Sequence, residues 1–214
     1  MNIWDISRTL ANDLAPWPGD TPFHFDLAAR LGENAVVNVG AVTMGVHNGT
    51  HADARFHFED DGWTIDQAPL ESYFGPAVVV DLTAKLASGP TDLITIAHLQ
   101  ESSEQLGETS RLLLKTGVWP DNTVFPSKIP VLAYDVPEWL KDRGVTLLGM
   151  DLPSVDPIDA KVLANHQALA HWEIAIVESL DLSEIEPGVY NLAAFPLKIA
   201  GGDAAPVRAI LWRD

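Results

Sequence analysis

The sequence predicts a mixed α/β fold in which strands outnumber helices. Three observations carry this. Phe23, Phe25 and Leu27 alternate with polar residues, as in a half-buried strand. Runs such as Val78-Val79-Val80 and Leu112-Leu113-Leu114 have strand length and read as strands buried on both faces. Candidate helices fall singly between these strands rather than in a block. No repeat, linker or low-complexity tract divides the chain, so residues 1–214 read as one domain.

In order, residues 2–8 read as a short strand. The segment Ala15-Pro16-Trp17-Pro18-Gly19-Asp20-Thr21-Pro22 is a loop whose prolines hold Trp17 in extended backbone. Trp17 either lines a pocket or covers the core. Residues 23–27 and 36–47 are expected strands, the second ending at His47. His24 is expected at the surface. Residues 58–63 form an acidic turn and 69–73 a helical turn. A strand at 75–82 precedes a helix over 92–101, capped by Thr91 or Asp92, with His98 on its exposed side. Strands follow at 111–116 and 145–151, with an extended or looped segment at 129–134. A helix over 137–143 closes at Gly144. The last predicted helix spans 164–172 with Asn165 as candidate cap. Strands at 173–178, 190–199 and 207–212 complete the chain.

Composition narrows the function. The chain carries 30 acidic against 13 basic residues, a net charge of −17, which disfavours nucleic acid and anionic membrane as partners. It has no cysteine, which excludes disulfides, thiolate nucleophiles and cysteine-ligated zinc. The start Met1-Asn2-Ile3-Trp4-Asp5 lacks the basic and apolar regions of a signal peptide. No apolar run approaches the roughly 18 residues of a membrane span. A cytoplasmic enzyme with a small-molecule substrate is the expectation.

The chemistry centres on His47-Asn48-Gly49-Thr50-His51-Ala52-Asp53-Ala54-Arg55-Phe56-His57, where three histidines and a carboxylate lie close together. Asn48-Gly49 is a turn signal. If the following residues are extended, His51, Asp53, Arg55 and His57 share one face, and His47 joins from across the turn. Imidazole and carboxylate suit zinc or a similar divalent ion. His166 and Glu178 form a possible second cluster. Glu178 ends an apolar strand, and a carboxylate there needs a partner, either a metal or an arginine.

The stretch HNGTHADARFHF resembles the HxGTHxDAPxHF signature of the metal-dependent cyclase family. Further matching stretches are Trp17 to Pro22, Gly149 to Pro157, His166 to Leu182 and Tyr190 to Leu211, spanning nearly the whole chain. The Trp-Pro-Gly-Asp and C-terminal stretches resemble the family's formamidase branch. The resemblance implies a swivelling β/β/α fold and a homodimer or larger homo-oligomer. It implies two zinc ions per subunit, with His47, His51, Asp53, His166 and Glu178 as ligands and Asp53 shared between the ions. It assigns His57 as catalytic acid/base and Trp17 as a substrate contact. The implied reaction is hydrolysis of N-formyl-L-kynurenine to L-kynurenine and formate, in tryptophan degradation. Another small aryl or cyclic amide, as for an isatin hydrolase, is the alternative; a metal-binding protein without turnover is a third reading. Arg55 replaces a usual proline and adds a cation near the metals, and Ala160 replaces a frequent serine.

Overall fold

A computed structural model describes residues 1–33, 35–89 and 92–213. Its strands are β1 (Asn2–Asp5), β2 (His24–Ala29), β3 (Val39–Thr43), β4 (His51–Asp53), β5 (Phe74–Asp81), β6 (Leu93–Ile94) and β7 (Arg111–Lys115). They continue as β8 (Val131–Leu132), β9 (Leu147–Met150), β10 (Ala175–Glu178), β11 (Gly188–Ala193), β12 (Ala204–Pro206) and β13 (Ile210–Arg213). The helices are α1 (Thr83–Ser88), α2 (Ile96–Leu99), α3 (Ser103–Glu108), α4 (Val136–Lys141) and α5 (Ala164–His171).

Among the described residues, nine strands form one sheet in the order β1-β13-β11-β5-β7-β9-β10-β4-β12. Strands β5, β7, β9 and β10 run parallel to their neighbours in that series, and each step between them carries helix. Parallel pairs need such crossovers, whereas the antiparallel β4 and β12 do not. This is the mixed α/β architecture that the alternating strand and helix signals predict.

The period-two alternation of strand side chains splits the core in two. Val79, Leu113 and Leu147 pack on one face with Tyr73, Leu180 and Leu211. Val78, Val80, Leu112, Leu114, Leu148 and Met150 pack on the other, beneath Leu99, Leu106, Leu140 and Leu169 of the helices. Every one of these side chains is buried, which explains why β5 and β7 read as continuous apolar runs. Gly149 sits where an added Cβ would collide with Leu113 and Leu180, so the site's neighbouring strand needs glycine for close packing.

Several expected elements shift. The strand expected over 36–47 is only Val39–Thr43; it pairs with β2 in a separate hairpin and does not reach His47. The Gly45 N–H instead donates to Thr21 O, which turns the chain before His47. Extended backbone after the turn lasts only from His51 to Asp53, and Arg55–His57 form a 3-10 turn. His57 therefore reaches the site by a turn, and Arg55 swings to Glu59, 3.1 Å away, rather than towards the acidic centre. The helix expected from Asp92 begins after Thr95, because Thr95 and His98 form a reciprocal capping box. Thr91 lies outside the described residues. His98 is half-buried, with Nδ1 accepting the Thr95 N–H. Asn165 lies inside the first turn of α5, and Asp156 supplies the cap instead. The strand at 190–199 stops at Ala193, and β12 adds a short strand before the terminal β13.

Candidate active site

Two short strands bring the distant clusters together. Strand β4 pairs antiparallel with β10, with His51 opposite Glu178. Gly49, at φ +68°, makes the left-handed turn that delivers His51 from His47. His166 enters from the first turn of α5. The result is two groups of ligand-type atoms that share Asp53: His47, His51 and Asp53, and Asp53, His166 and Glu178.

The distances describe a compact cluster of ligand-type atoms. His47 Nδ1 lies 3.3 Å and His51 Nε2 3.6 Å from Asp53 Oδ1, while His166 Nε2 lies 3.5 Å from Asp53 Oδ2. Glu178 spans the same space, with Oε2 3.4 Å from His51 Nε2 and Oε1 3.6 Å from His166 Nε2. Asp53 is buried, and among the described residues neither of its carboxylate oxygens has a hydrogen-bond partner. A buried carboxylate without donors is costly unless cations face it. The donor set of three imidazoles and two carboxylates fits divalent metal on both sides of Asp53.

The outer nitrogen of each imidazole is held. His51 Nδ1 lies 2.9 Å from Gly49 O, so that nitrogen carries the proton and Nε2 faces inwards. His166 Nδ1 lies 2.7 Å from Asp156 Oδ2. His47 Nε2 lies 2.9 Å from Asp203 Oδ2. Glu178 Oε1 accepts the Val155 N–H at 2.9 Å. Such outer contacts fix ring orientation and raise ligand basicity.

The electrostatics of the metal-free cluster follow from burial and mutual charge. Burial opposes charging of His47, but Asp53 and Asp203 outweigh it and raise its pKa to about 9. Burial likewise opposes His166, and Asp156 with Asp53 and Glu178 raises it to about 10. Burial pushes Asp53 up, and His166 and His47 more than reverse this, holding it well below the usual carboxylate range. Glu178 is raised by burial and by the negative charge of Asp53. His57 behaves oppositely to the other two histidines. Burial lowers its pKa; the negative charge of Asp53 opposes this, and the positive charges of His47 and His166 reinforce it.

A cavity of about 270 Å³ opens above the cluster, with His57 and Trp17 in its lining. Trp17 is half-buried, and its ring meets Phe125 edge-on at 5.3 Å. Phe125 in turn meets Trp119 at 5.6 Å, and the Arg8 guanidinium lies 4.1 Å over Trp119. The three rings form an aromatic wall beside the polar floor.

Sequence reasoning missed Trp119 and Phe125, which lie in an irregular segment with no motif. It also missed Asp156 and Asp203 as individual residues. Both fall in stretches already matched to the family; Asp156 directly precedes Pro157, and Asp203 follows Gly201-Gly202.

Comparison with known proteins is consistent with this architecture. A curated relative from Geobacillus thermodenitrificans named "Kynurenine formamidase" is 42% identical over 99% of this chain and 98% of its own length. Another of that name, from Bacillus cytotoxicus, is 40% identical over 97% of this chain and 95% of its own. Isatin hydrolase A from Ralstonia solanacearum shares the fold with a TM-score of 0.82 at 22% identity, over 98% of this chain and 91% of that one. A structure titled as a potential metal-dependent hydrolase with cyclase activity has a TM-score of 0.78 at 24% identity, over 98% and 96% of the two chains. The family model "Cyclase: Putative cyclase" matches residues 4–157, and with these relatives it establishes that the chain belongs to the cyclase family.

Proposed function

We propose that the chain is a metal-dependent arylformamidase that hydrolyses N-formyl-L-kynurenine to L-kynurenine and formate, in tryptophan degradation. The observation that carries this is 42% identity, over almost the whole of both chains, to a kynurenine formamidase. The aromatic wall beside an acidic, histidine-rich floor supports it, because the substrate pairs an aryl ring with a formamide. We read residues 1–214 as one catalytic domain.

In this reading His47, His51, Asp53, His166 and Glu178 would hold two zinc ions, Asp53 belonging to both ligand groups. When bound, such ions supply Lewis acidity and lower the pKa of water, typically to about 7. The chain's own residues supply orientation and proton transfer. Trp17 and Phe125 form one wall against which the aryl ring packs, with the formyl group towards the floor. His57, whose pKa is lowered by burial, accepts a proton from the attacking water. The hydroxyl of that water bonds to the formyl carbon and the C–N bond breaks. The proton on His57 passes to the departing aniline nitrogen, leaving formate and the free amine. We place the enzyme in the cytoplasm as a homodimer or larger homo-oligomer. The exposed apolar side chains of Phe25, Val39 and Val42 on the β2–β3 hairpin support assembly.

Steady-state assays of zinc-loaded protein on N-formyl-L-kynurenine, isatin and formanilide test the proposal. The expected result is a kcat/KM for N-formyl-L-kynurenine at least about tenfold above the other two. A preference for isatin would replace the substrate assignment.

A further inference from the structure

Asp203 lies between the proposed metal ligands and the proposed proton shuttle. Its Oδ2 is 2.9 Å from His47 Nε2 and 3.6 Å from His57 Nδ1. The His47 and His57 rings are stacked obliquely, with centroids 4.3 Å apart. We infer that Asp203 is a positioning residue shared by both: one carboxylate oxygen fixes the tautomer of His47 and orients the imidazole of His57. The inference rests on the metal-centre reading above.

The argument is geometric. His47 has two ring nitrogens, and Nδ1 faces Asp53 at 3.3 Å. Holding Nε2–H against Asp203 leaves the Nδ1 lone pair for the centre. His51 and His166 are held in the same way by Gly49 O and Asp156. Asp203 differs because it also faces the Nδ1 of His57, which lies outside both groups that share Asp53. With Nδ1 turned towards Asp203, Nε2 is the nitrogen left for substrate and water.

Asp203 is also fastened to the strand that carries the ligands. Its carbonyl accepts the Ala54 N–H at 2.9 Å, and its neighbour Ala204 is paired with Asp53 across β4 and β12. Its side chain therefore keeps register with His51 and Asp53. The rival reading makes Asp203 a ligand itself, since His47, His57 and Asp203 also present atoms close enough to surround one ion. That arrangement requires His47 to use Nε2 and to abandon Asp53.

The test uses the full chain in four forms: Asp203→Ala, Asp203→Asn, His57→Ala and the double variant Asp203→Ala/His57→Ala. Zinc stoichiometry is read by elemental analysis at saturating zinc, and zinc affinity by competition with a chromophoric chelator. Kinetic constants are read on N-formyl-L-kynurenine. All forms are expected to keep the wild-type stoichiometry. Asp203→Ala should bind zinc about 10- to 100-fold more weakly and lose about 10- to 100-fold in kcat, with KM within about twofold. Asp203→Asn, which keeps an acceptor oxygen for His47, should recover most of the zinc affinity. In the His57→Ala background, Asp203→Ala should cost less than about twofold more in kcat while still weakening zinc.

Loss of one zinc equivalent in Asp203→Ala at saturating zinc would overturn the inference and make Asp203 a ligand. Fully additive loss of kcat in the double variant, or unchanged zinc affinity, would also overturn it. If wild-type protein fails to turn over N-formyl-L-kynurenine, the substrate reading fails, and the zinc affinities alone still decide whether Asp203 positions His47.

Discussion

The acidic centre beneath β4 and the β2–β3 hairpin invert ordinary burial in opposite directions. At the centre, His51, Asp53, His166 and Glu178 are between 2% and 4% exposed. On the hairpin, Phe25, Val39 and Val42 are between 45% and 56% exposed. Charged groups are hidden in one place and apolar groups bared in the other. Each inversion marks a region whose energetics call for something besides the folded chain. The proposed complements are divalent cations at the centre and a second copy at the hairpin. The two regions are also joined in sequence, because the segment after β3 turns directly into His47.

The sharpest way to break the comparison is to remove the shared carboxylate. Asp53→Asn should lose both metals and reduce turnover to background, because an amide cannot neutralise cations on either side. Elemental analysis and activity assays check this together. Retention of full metal content would remove Asp53 from the shared position. His57→Ala should keep the metals and lower kcat by about 10²- to 10⁴-fold, as expected for a proton shuttle. Metal content falling in step with activity would make His57 a ligand.

The charge logic of the centre predicts a pH dependence. His47 and His166 have pKa values raised to about 9 and about 10, above the ordinary value of 6.5. In the metal-free protein, their protonation therefore stabilises the fold fully below pH 6.5. That contribution is lost as pH rises through 9 to 10. Metal binding must expel these protons, so apparent metal affinity should rise with pH, about tenfold per unit for each proton displaced. Isothermal titrations in buffers of differing ionisation enthalpy count the protons released; none released between pH 7 and 8 would contradict the charge assignment.

Trp17 tests the cavity wall. Trp17→Ala should reduce kcat/KM by roughly tenfold, Trp17→Phe by much less, with metal content unchanged, because ring stacking contributes about 0.5–1.5 kcal/mol. An unchanged kcat/KM in folded Trp17→Ala would confine Trp17 to a packing role. The smallest effect on chemistry should come from the hairpin. Val42→Lys should shift the assembly towards smaller species in light scattering and leave the melting temperature of the monomer nearly unchanged. An assembly unaffected by Val42→Lys would move the interface elsewhere.

Much of the centre was legible because its residues cluster locally. His47, His51 and Asp53 are close in sequence, and a turn signal at Asn48-Gly49 places them around one point. What joins them to His166 and Glu178 is the β4–β10 pairing, a long-range register that no local pattern encodes. The parity argument succeeded for His51 and Asp53, which lie in β4. It failed for Arg55, because the backbone leaves extended geometry after Asp53. The strand expected over 36–47 ends early for a related reason: the Gly45 N–H bonds to Thr21 O, a long-range contact that turns the chain before His47. Asp156 illustrates a further gap. It caps α5 from outside the helix and simultaneously holds His166, a role set by loop geometry rather than by helix periodicity.

The wide sequence separation of the two ligand clusters has a consequence for the stability of the chain. In the proposed ligand set, metal held jointly by Asp53, His166 and Glu178 would tie an early strand to a late helix and strand. Because the three come together only in the folded chain, such a tie would stabilise the native state in proportion to its occupancy. With no cysteine anywhere in the sequence, disulfides cannot perform that task. Ions proposed to serve chemistry would then also serve as the protein's staple, and the resistance of the fold to heat would become a function of free metal concentration.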